Sequence, residues 1–267
     1  MNLDALQIIF LAILQGLTEF LPVSSSGHLL LPSLLLGWAD QGLSFDVAVH
    51  VGSLFAVLAY FKLDIAKLTI AWLGSFNSSS KTDDAKLAWL LIIATIPVAL
   101  AGLLLRDAIE QYGRSVLLIA LSSIGFALLL LWSEYFSNRK ATLKDLTWKS
   151  ALFIGLAQML ALIPGTSRSG VTMTAGLFCH LNRASAARFS FLLAIPTIFA
   201  SGLFTSVELF TSDVSPPWFT LILAASISGL VAYSCIHFFL GLIERVGFLP
   251  FVIYRLLLGG LLLAIYL

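Results

Sequence analysis

Apolar residues gather in long blocks along this chain, and six blocks have the length of a bilayer crossing: roughly 43–61, 87–105, 115–133, 189–207, 218–240 and 248–267. A spanning helix needs about 20 mostly apolar residues. Two further stretches begin apolar, turn polar and become apolar again. In 3–36 the polar core is Glu19-Phe20-Leu21-Pro22-Val23-Ser24-Ser25-Ser26-Gly27-His28; in 150–180 it is Pro164-Gly165-Thr166-Ser167-Arg168-Ser169-Gly170. Each apolar arm is too short to cross alone, and clustered Pro, Gly and Ser break helices. Each unit therefore reads as helix, loop, helix, entering and leaving the membrane on one side. Irregular backbone survives at that depth only inside protein or beside a water-filled cavity.

The two units share a spacing. Gln15 and Gln158 are 143 residues apart, as are Gly27 and Gly170, and three apolar spans follow each unit. Within a single membrane domain, 1–267, this predicts two halves, about 1–134 and 148–267. An odd number of spans per half turns the second upside down relative to the first. The expected fold is an all-α integral membrane protein: six transmembrane helices and two re-entrant helix-loop-helix units in an inverted-topology repeat.

Composition supports the membrane assignment. The chain is 59% hydrophobic and 11% charged, against roughly 25% charged in soluble domains, and the short connectors leave no room for a separate soluble domain. A net charge of +1 gives no reason to expect nucleic acid; the partner implied is the lipid bilayer. The opening Met1-Asn2-Leu3-Asp4 has no basic residue, and no small-residue cleavage site follows, so the first segment reads as mature fold. Cys179 and Cys235 form no framework or zinc motif and read as small buried hydrophobes.

Charge placement gives orientation. One face carries Lys62, Lys67, Lys81, Lys86, Arg139, Lys140, Lys144, Lys149, Arg183, Arg188 and Arg245; the other has Arg106 and Arg114 with an acidic 208–213 loop containing Glu208 and Asp213. The positive-inside rule makes the first face cytoplasmic. Both termini then lie outside, the first unit enters from outside, and the second from inside.

Four ionisable residues at membrane depth stand out: Glu19, His28, Arg168 and Arg255. Such groups cost several kcal/mol unless paired or wetted. Gln15 and Glu19 are four apart and share a helix face; they suit a hard divalent cation, which binds through few carboxylates plus substrate phosphate. Ser24, Ser25, Ser26, Gly27 and His28 precede an apolar helix. Some of these serines cap it, yet a helix start with hydroxyls also binds anions, and serine with histidine suggests an activated nucleophile. Thr166, Ser167, Ser169 and Gly170 surround Arg168 in a second anion cradle, where a guanidinium grips phosphate in a bidentate way. The Gly-Lys-Ser/Thr ending of a P-loop is absent. Asp46 and His50, also four apart, fit a direct or an indirect hydrogen-bonding role equally. Arg255 reaches either the site or only the interface. His180 and His237, near helix ends, read as interfacial. Together the two units offer what a phosphoryl group needs: positive charge, donors, a metal ligand and a nucleophile.

At these residues the chain resembles the undecaprenyl-diphosphate phosphatase, or bacitracin-resistance, family. The match is carried by Gln15 through His28 and Pro164 through Gly170, supported by 45–52, Phe189 through Pro196, and Tyr254-Arg255. The resemblance implies a bacterial inner-membrane enzyme that hydrolyses undecaprenyl diphosphate to undecaprenyl phosphate and inorganic phosphate. It thereby recycles the carrier for wall polymers and confers bacitracin resistance. It implies Mg2+ or Ca2+ at Glu19, with Gln15 in the motif's variable first place. Ser25 is implied as nucleophile, His28 as base or acid, and Arg168 as the phosphate grip. A neutral Gln15 leaves one carboxylate where a two-carboxylate metal site would need another. Assembly as a homodimer stays open. With Ser25 deprotonated by His28, the implied reaction passes through a phosphoserine; attack by water is the rival. The entry of the first unit from outside predicts a site open to the periplasmic, outer face. A transporter or flippase for a phosphorylated polyprenyl lipid is the other reading, since inverted repeats with broken helices also build carriers. A nucleophile and a metal-binding acid favour hydrolysis.

Overall fold

The computed structural model describes residues 3–76, 82–105, 115–211 and 217–266, with side chains described outside 204–211. Lys81, Arg106, Arg114 and Asp213, which entered the charge count, lie outside the described residues, as does the Glu208 side chain. Helices α1 (Ala5–Thr18) and α2 (Ser25–Leu36) are the arms of the first unit. α3 (Leu43–Tyr60), α4 (Lys62–Gly74), α5 (Asp83–Leu104) and α6 (Val116–Phe136) follow. α7 (Trp148–Met159) and α8 (Arg168–Phe178) are the arms of the second unit. α9 (Arg183–Thr211), α10 (Trp218–Val246) and α11 (Leu249–Tyr266) complete the chain. Helices α3, α5, α6, α9, α10 and α11 are long and apolar enough to cross a membrane. At 1.5 Å per residue, the arms of 11 to 14 residues fall short of the roughly 30 Å apolar core.

Ala5 and Trp148, which open α1 and α7, are 143 residues apart, and so are Ser25 and Arg168, which open α2 and α8. The first arm of each unit packs on the middle span of the other half: α1 on α10 and α7 on α5. α3 also packs on α10, and α11 on α6. Apolar side chains gain little by leaving lipid for one another, so these contacts depend on close fit and small residues. The α3–α10 crossing shows how: Ser228 Oγ donates to the Val49 carbonyl (2.8 Å), and the Ser53 and Ser228 hydroxyls lie 3.2 Å apart. At Gly229 a Cβ would sit 2.9 Å from the Gly52 carbonyl oxygen.

The basic connectors gather at one end of the bundle. Arg188 pairs with Asp64 (3.0 Å) and Lys144 with Asp83 (3.4 Å), while Arg183 and Arg139 both grip Glu134. This places the ends of α3, α6 and α10 beside the starts of α5, α9 and α11.

Three expectations need correction. The basic stretch from Lys62 to Lys86, counted among the short connectors between spans, is not only loop, since Lys62–Gly74 is helical. Its charges, Lys62, Asp64 and Lys67, hid a short helix that buries Leu68. The polar cores are also shorter than predicted. Ser25 through His28 already belong to α2, and Arg168 through Gly170 to α8. The capping expected of the first serines falls to Ser24, whose Oγ accepts from Gly27 N, and Ser167 Oγ does the same for Gly170 N in the second unit. Finally, Cys235 is buried but Cys179 only partly.

Candidate active site at the meeting of two helix breaks

Ser24 (φ 73°) and Ser167 (φ 71°) hold the same left-handed backbone, and each is the N-cap of the helix that follows. Residues other than glycine pay about 1–3 kcal/mol for such conformations, which cluster at functional sites. The turn aims the N-termini of α2 and α8 at a common place. Beyond the amides that the two caps satisfy, Ser25 and Ser26, and Arg168 and Ser169, sit where helix N–H groups lack an intrahelical acceptor. Two positive helix ends meeting there favour an anion.

The breaks touch directly. Ser169 Oγ donates to the Leu21 carbonyl at 2.7 Å. Arg168 Nη2 donates to Glu19 Oε1 at 2.9 Å, while Nη1 holds the Ser190 carbonyl at 3.1 Å. The Arg168 guanidinium also lies over the Phe20 ring, 5.8 Å from its centre. Glu19 thus carries the second break on one oxygen. Its other oxygen accepts from Ser25 Oγ (2.7 Å) and Gln15 Nε2 (2.9 Å). The Glu19 and Arg168 side chains are 7% and 12% exposed, so this pair is shielded from screening by solvent and each charge depends on the other.

Arg255, fully buried, ties the breaks from behind. Its Nη2 donates to the Gly165 carbonyl (2.9 Å) and its Nη1 to that of Pro22 (3.4 Å). Gly165 (φ 88°) is pressed on α6, where a Cβ would lie 2.5 Å from the Ile119 carbonyl oxygen. Ser122 Oγ secures the neighbouring Pro164 carbonyl. Thr166 Oγ1 turns inward to the Leu160 and Ile163 carbonyls, and Ser167 and Ser169 share a hydroxyl contact of 3.1 Å.

The expected pairing of Ser25 with His28 is not what forms. His28 Nδ1 lies 2.7 Å from the Ser24 carbonyl, so Nδ1 carries the proton and Nε2 is the acceptor; it receives the Tyr254 hydroxyl at 2.5 Å. Ser25 is given to Glu19 instead. Ser25 and His28, three apart in the first turn of α2, share a helix face, yet each side chain takes a different partner: Glu19 for Ser25, the Ser24 carbonyl and Tyr254 for His28. Ser26 is exposed and Gly27 buried against Ile119, 3.4 Å from a hypothetical Cβ.

His50 joins the cluster, which the sequence had left undecided. Its Nδ1 faces the Asp46 carbonyl (2.7 Å), leaving Nε2 3.5 Å from Glu19 Oε2. Tyr254 and Ser190 are also part of the site's scaffold. Both lie in stretches that supported the family resemblance, Tyr254-Arg255 and Phe189 through Pro196, but neither was singled out as a site residue. His180 stacks on Phe136, and His237 lies beside Tyr60 and Phe238, both away from the breaks.

Among the described residues no group of three or more His, Cys, Asp or Glu is placed to hold a metal ion. A smaller donor set exists. Gln15 Oε1 is buried without a partner, because Nε2 must face the Glu19 carboxylate. As arranged, Gln15 turns Nε2 toward Glu19, so its amide has to turn over before this oxygen and the carboxylate could share a hard cation with phosphate and water.

Known proteins match the chain over nearly its whole length. Residues 8–261 match the model of the bacitracin resistance protein BacA family. The chain is 56% identical over 257 residues to Undecaprenyl-diphosphatase 1 of Pseudoalteromonas translucida, covering 96% of this chain and 97% of that protein. It is 55% identical over 268 residues to Undecaprenyl-diphosphatase 2 of Stutzerimonas stutzeri, covering 99% of each. It is 50% identical over 264 residues to the Undecaprenyl-diphosphatase of Nitrosococcus oceani, covering 99% of this chain and all of that protein. The chain is a multi-pass membrane protein that belongs to the bacitracin resistance protein BacA family.

Proposed function

We propose that this chain hydrolyses undecaprenyl diphosphate to undecaprenyl phosphate and inorganic phosphate, recycling the lipid carrier for the cell wall and giving bacitracin resistance. The single observation that carries the reading at the site is the Glu19 carboxylate. It holds Ser25 on one oxygen and Arg168 on the other, and so joins a nucleophile to a phosphate grip across the two breaks.

The terminal phosphate sits between the N-termini of α2 and α8. Arg168, anchored by Ser190, and the amides of Ser25, Ser26 and Ser169 take up its negative charge. Ser25 Oγ attacks the terminal phosphorus and its proton passes to Glu19 Oε2, to which it already points. The bond from phosphorus to the bridging oxygen breaks, and lipid phosphate leaves with that oxygen. Water then attacks the phosphoserine, the bond from phosphorus to Ser25 Oγ breaks, the proton on Glu19 returns to that oxygen, and the protons of the water leave on the departing inorganic phosphate. Glu19 therefore takes the role of base that the sequence suggested for His28. His28 positions Tyr254 at the wall of the site. With the Gln15 amide turned over, Glu19 and Gln15 would hold Mg2+ or Ca2+ as the diphosphate arrives, before Glu19 takes the proton, supplying charge neutralisation for the diphosphate.

The position of the basic connectors at one end supports a site that opens to the outer face of a bacterial inner membrane, with that end cytoplasmic. The 143-residue correspondence of the arms supports two inverted halves, about 1–134 and 148–267. The test is phosphate release by the purified protein from undecaprenyl diphosphate. Stoichiometric release, lost in Ser25→Ala and Arg168→Ala proteins that elute as the parent does, supports the reading. No release by the parent, with transfer of the lipid between leaflets of a vesicle, would favour the carrier.

A further inference from the structure

Consecutive spans usually pack on each other, but α11 packs on α6 while α10 packs on α3 and α1. A lateral groove of about 560 Å³ is left beside α10 and the start of α11, within the range of small-molecule sites. Leu17, Leu21, Val231, Phe238, Leu242 and Phe251 are among the residues that line it. Phe238 and Leu242 are 71% and 50% exposed, so the groove faces the membrane. Leu17 and Leu21 make it continuous with the first break. The Leu21 carbonyl receives Ser169, and Glu19 lies between them in sequence. The Leu17 carbonyl is tied to Cys235 Sγ at 3.2 Å, which fixes Leu17 against α10.

We infer that this groove holds the first isoprene units of the substrate's prenyl chain. The inference rests on the reading of Glu19, Ser25 and Arg168 as the phosphate site. A diphosphate placed there must carry an apolar chain outward, and the groove is an apolar exit that starts at the break itself. Lipid already solvates such a chain, so the groove adds little hydrophobic affinity. It fixes the direction of the chain and therefore the angle at which the bridging oxygen leaves. The chain's proximal units select the substrate here; the distal units stay in bulk lipid.

The experiment compares undecaprenyl and farnesyl diphosphates with a simple short-chain alkyl diphosphate that lacks the isoprene methyl branches, using the full chain in nanodiscs. Val231→Trp and Ser234→Trp fill the groove. They are expected to lower the kcat/KM preference for isoprenyl over linear alkyl diphosphate by about tenfold, equivalent to about 1.4 kcal/mol. Leu100→Trp, on a lipid-facing part of α5, is expected to keep the parent's preference. A diazirine on the second isoprene unit of a prenyl diphosphate probe is expected to label α10 near Phe238 and to be displaced by excess substrate. Labelling spread over the lipid-facing helices, or labelling at Phe238 that substrate does not displace, overturns the inference and marks the groove as an ordinary lipid contact. If the tryptophan variants fail to fold, the probe on the parent protein still decides. Full activity in Glu19→Gln would instead overturn the phosphate site and leave the groove result to stand or fall separately.

Discussion

Replacing Glu19 by glutamine separates its charge from its shape. The side chain keeps its length, so Gln15 and Arg168 retain a neighbour, but the group that accepts the Ser25 proton at 2.7 Å is gone. General bases contribute about 10²–10⁴ in rate, and Glu19→Gln is expected to lower kcat within that range. Arg168 keeps the Ser190 carbonyl, so KM should move by less than the rate. Glu19→Asp refines the test. It withdraws the carboxylate by one carbon–carbon bond, about 1.5 Å, stretching the contact with Ser25 to roughly 4 Å, beyond a hydrogen bond. A misplacement of this size costs about 10². The assay is phosphate release from prenyl diphosphate by detergent-purified protein, with kcat and KM resolved and thermal unfolding followed in parallel. Turnover of Glu19→Gln within tenfold of the parent, in a protein that unfolds where the parent does, would refute Glu19 as the base.

Gly165→Ala is expected to cost about 1–3 kcal/mol, read as a lower unfolding temperature, because φ is positive and its Cβ would strike the Ile119 carbonyl. A chelator is expected to remove activity and either Mg2+ or Ca2+ to restore it; Gln15→Glu should lower, and Gln15→Ala raise, the metal concentration for half activation. Ser26→Cys, exposed at the start of α2, is expected to react with an impermeant thiol reagent added outside intact cells, and protection there would reverse the assigned orientation. Arg255→Lys cannot span both the Pro22 and Gly165 carbonyls with a planar fork; it should reduce kcat and unfolding temperature together.

Much of the fold was legible because the bilayer imposes a length. Blocks such as 116–136 and 249–266 are recognisable by hydropathy alone, and the short arms stand out against them. α4 was not legible, since a short helix carrying Lys62, Asp64 and Lys67 at the end of the bundle looks like a charged connector when only apolar blocks are read. The parts of the site were visible as well: an acid, serines and an arginine at membrane depth are costly and therefore conspicuous. Their pairing was not. Adjacency in sequence suggested that His28 would serve Ser25, whereas His28 is held by the Ser24 carbonyl and Tyr254 and Ser25 by Glu19, six residues away around the break. The 149-residue separation between Glu19 and Arg168 hides the contact that joins the two units. His50 sits at the site because α3 packs beside α1, a fact of tertiary packing that its i, i+4 relation to Asp46 only hints at.

Glu19 joins Ser25 to Arg168, so the most direct measurement is a rapid-quench single turnover with undecaprenyl diphosphate labelled in the terminal phosphate. Label is expected to appear transiently on Ser25 and then as inorganic phosphate, and to be absent from Ser25 in Arg168→Ala. Release of phosphate at the parent rate from Ser25→Ala, or a parent turnover that never labels the serine while quenching outpaces release, would contradict it.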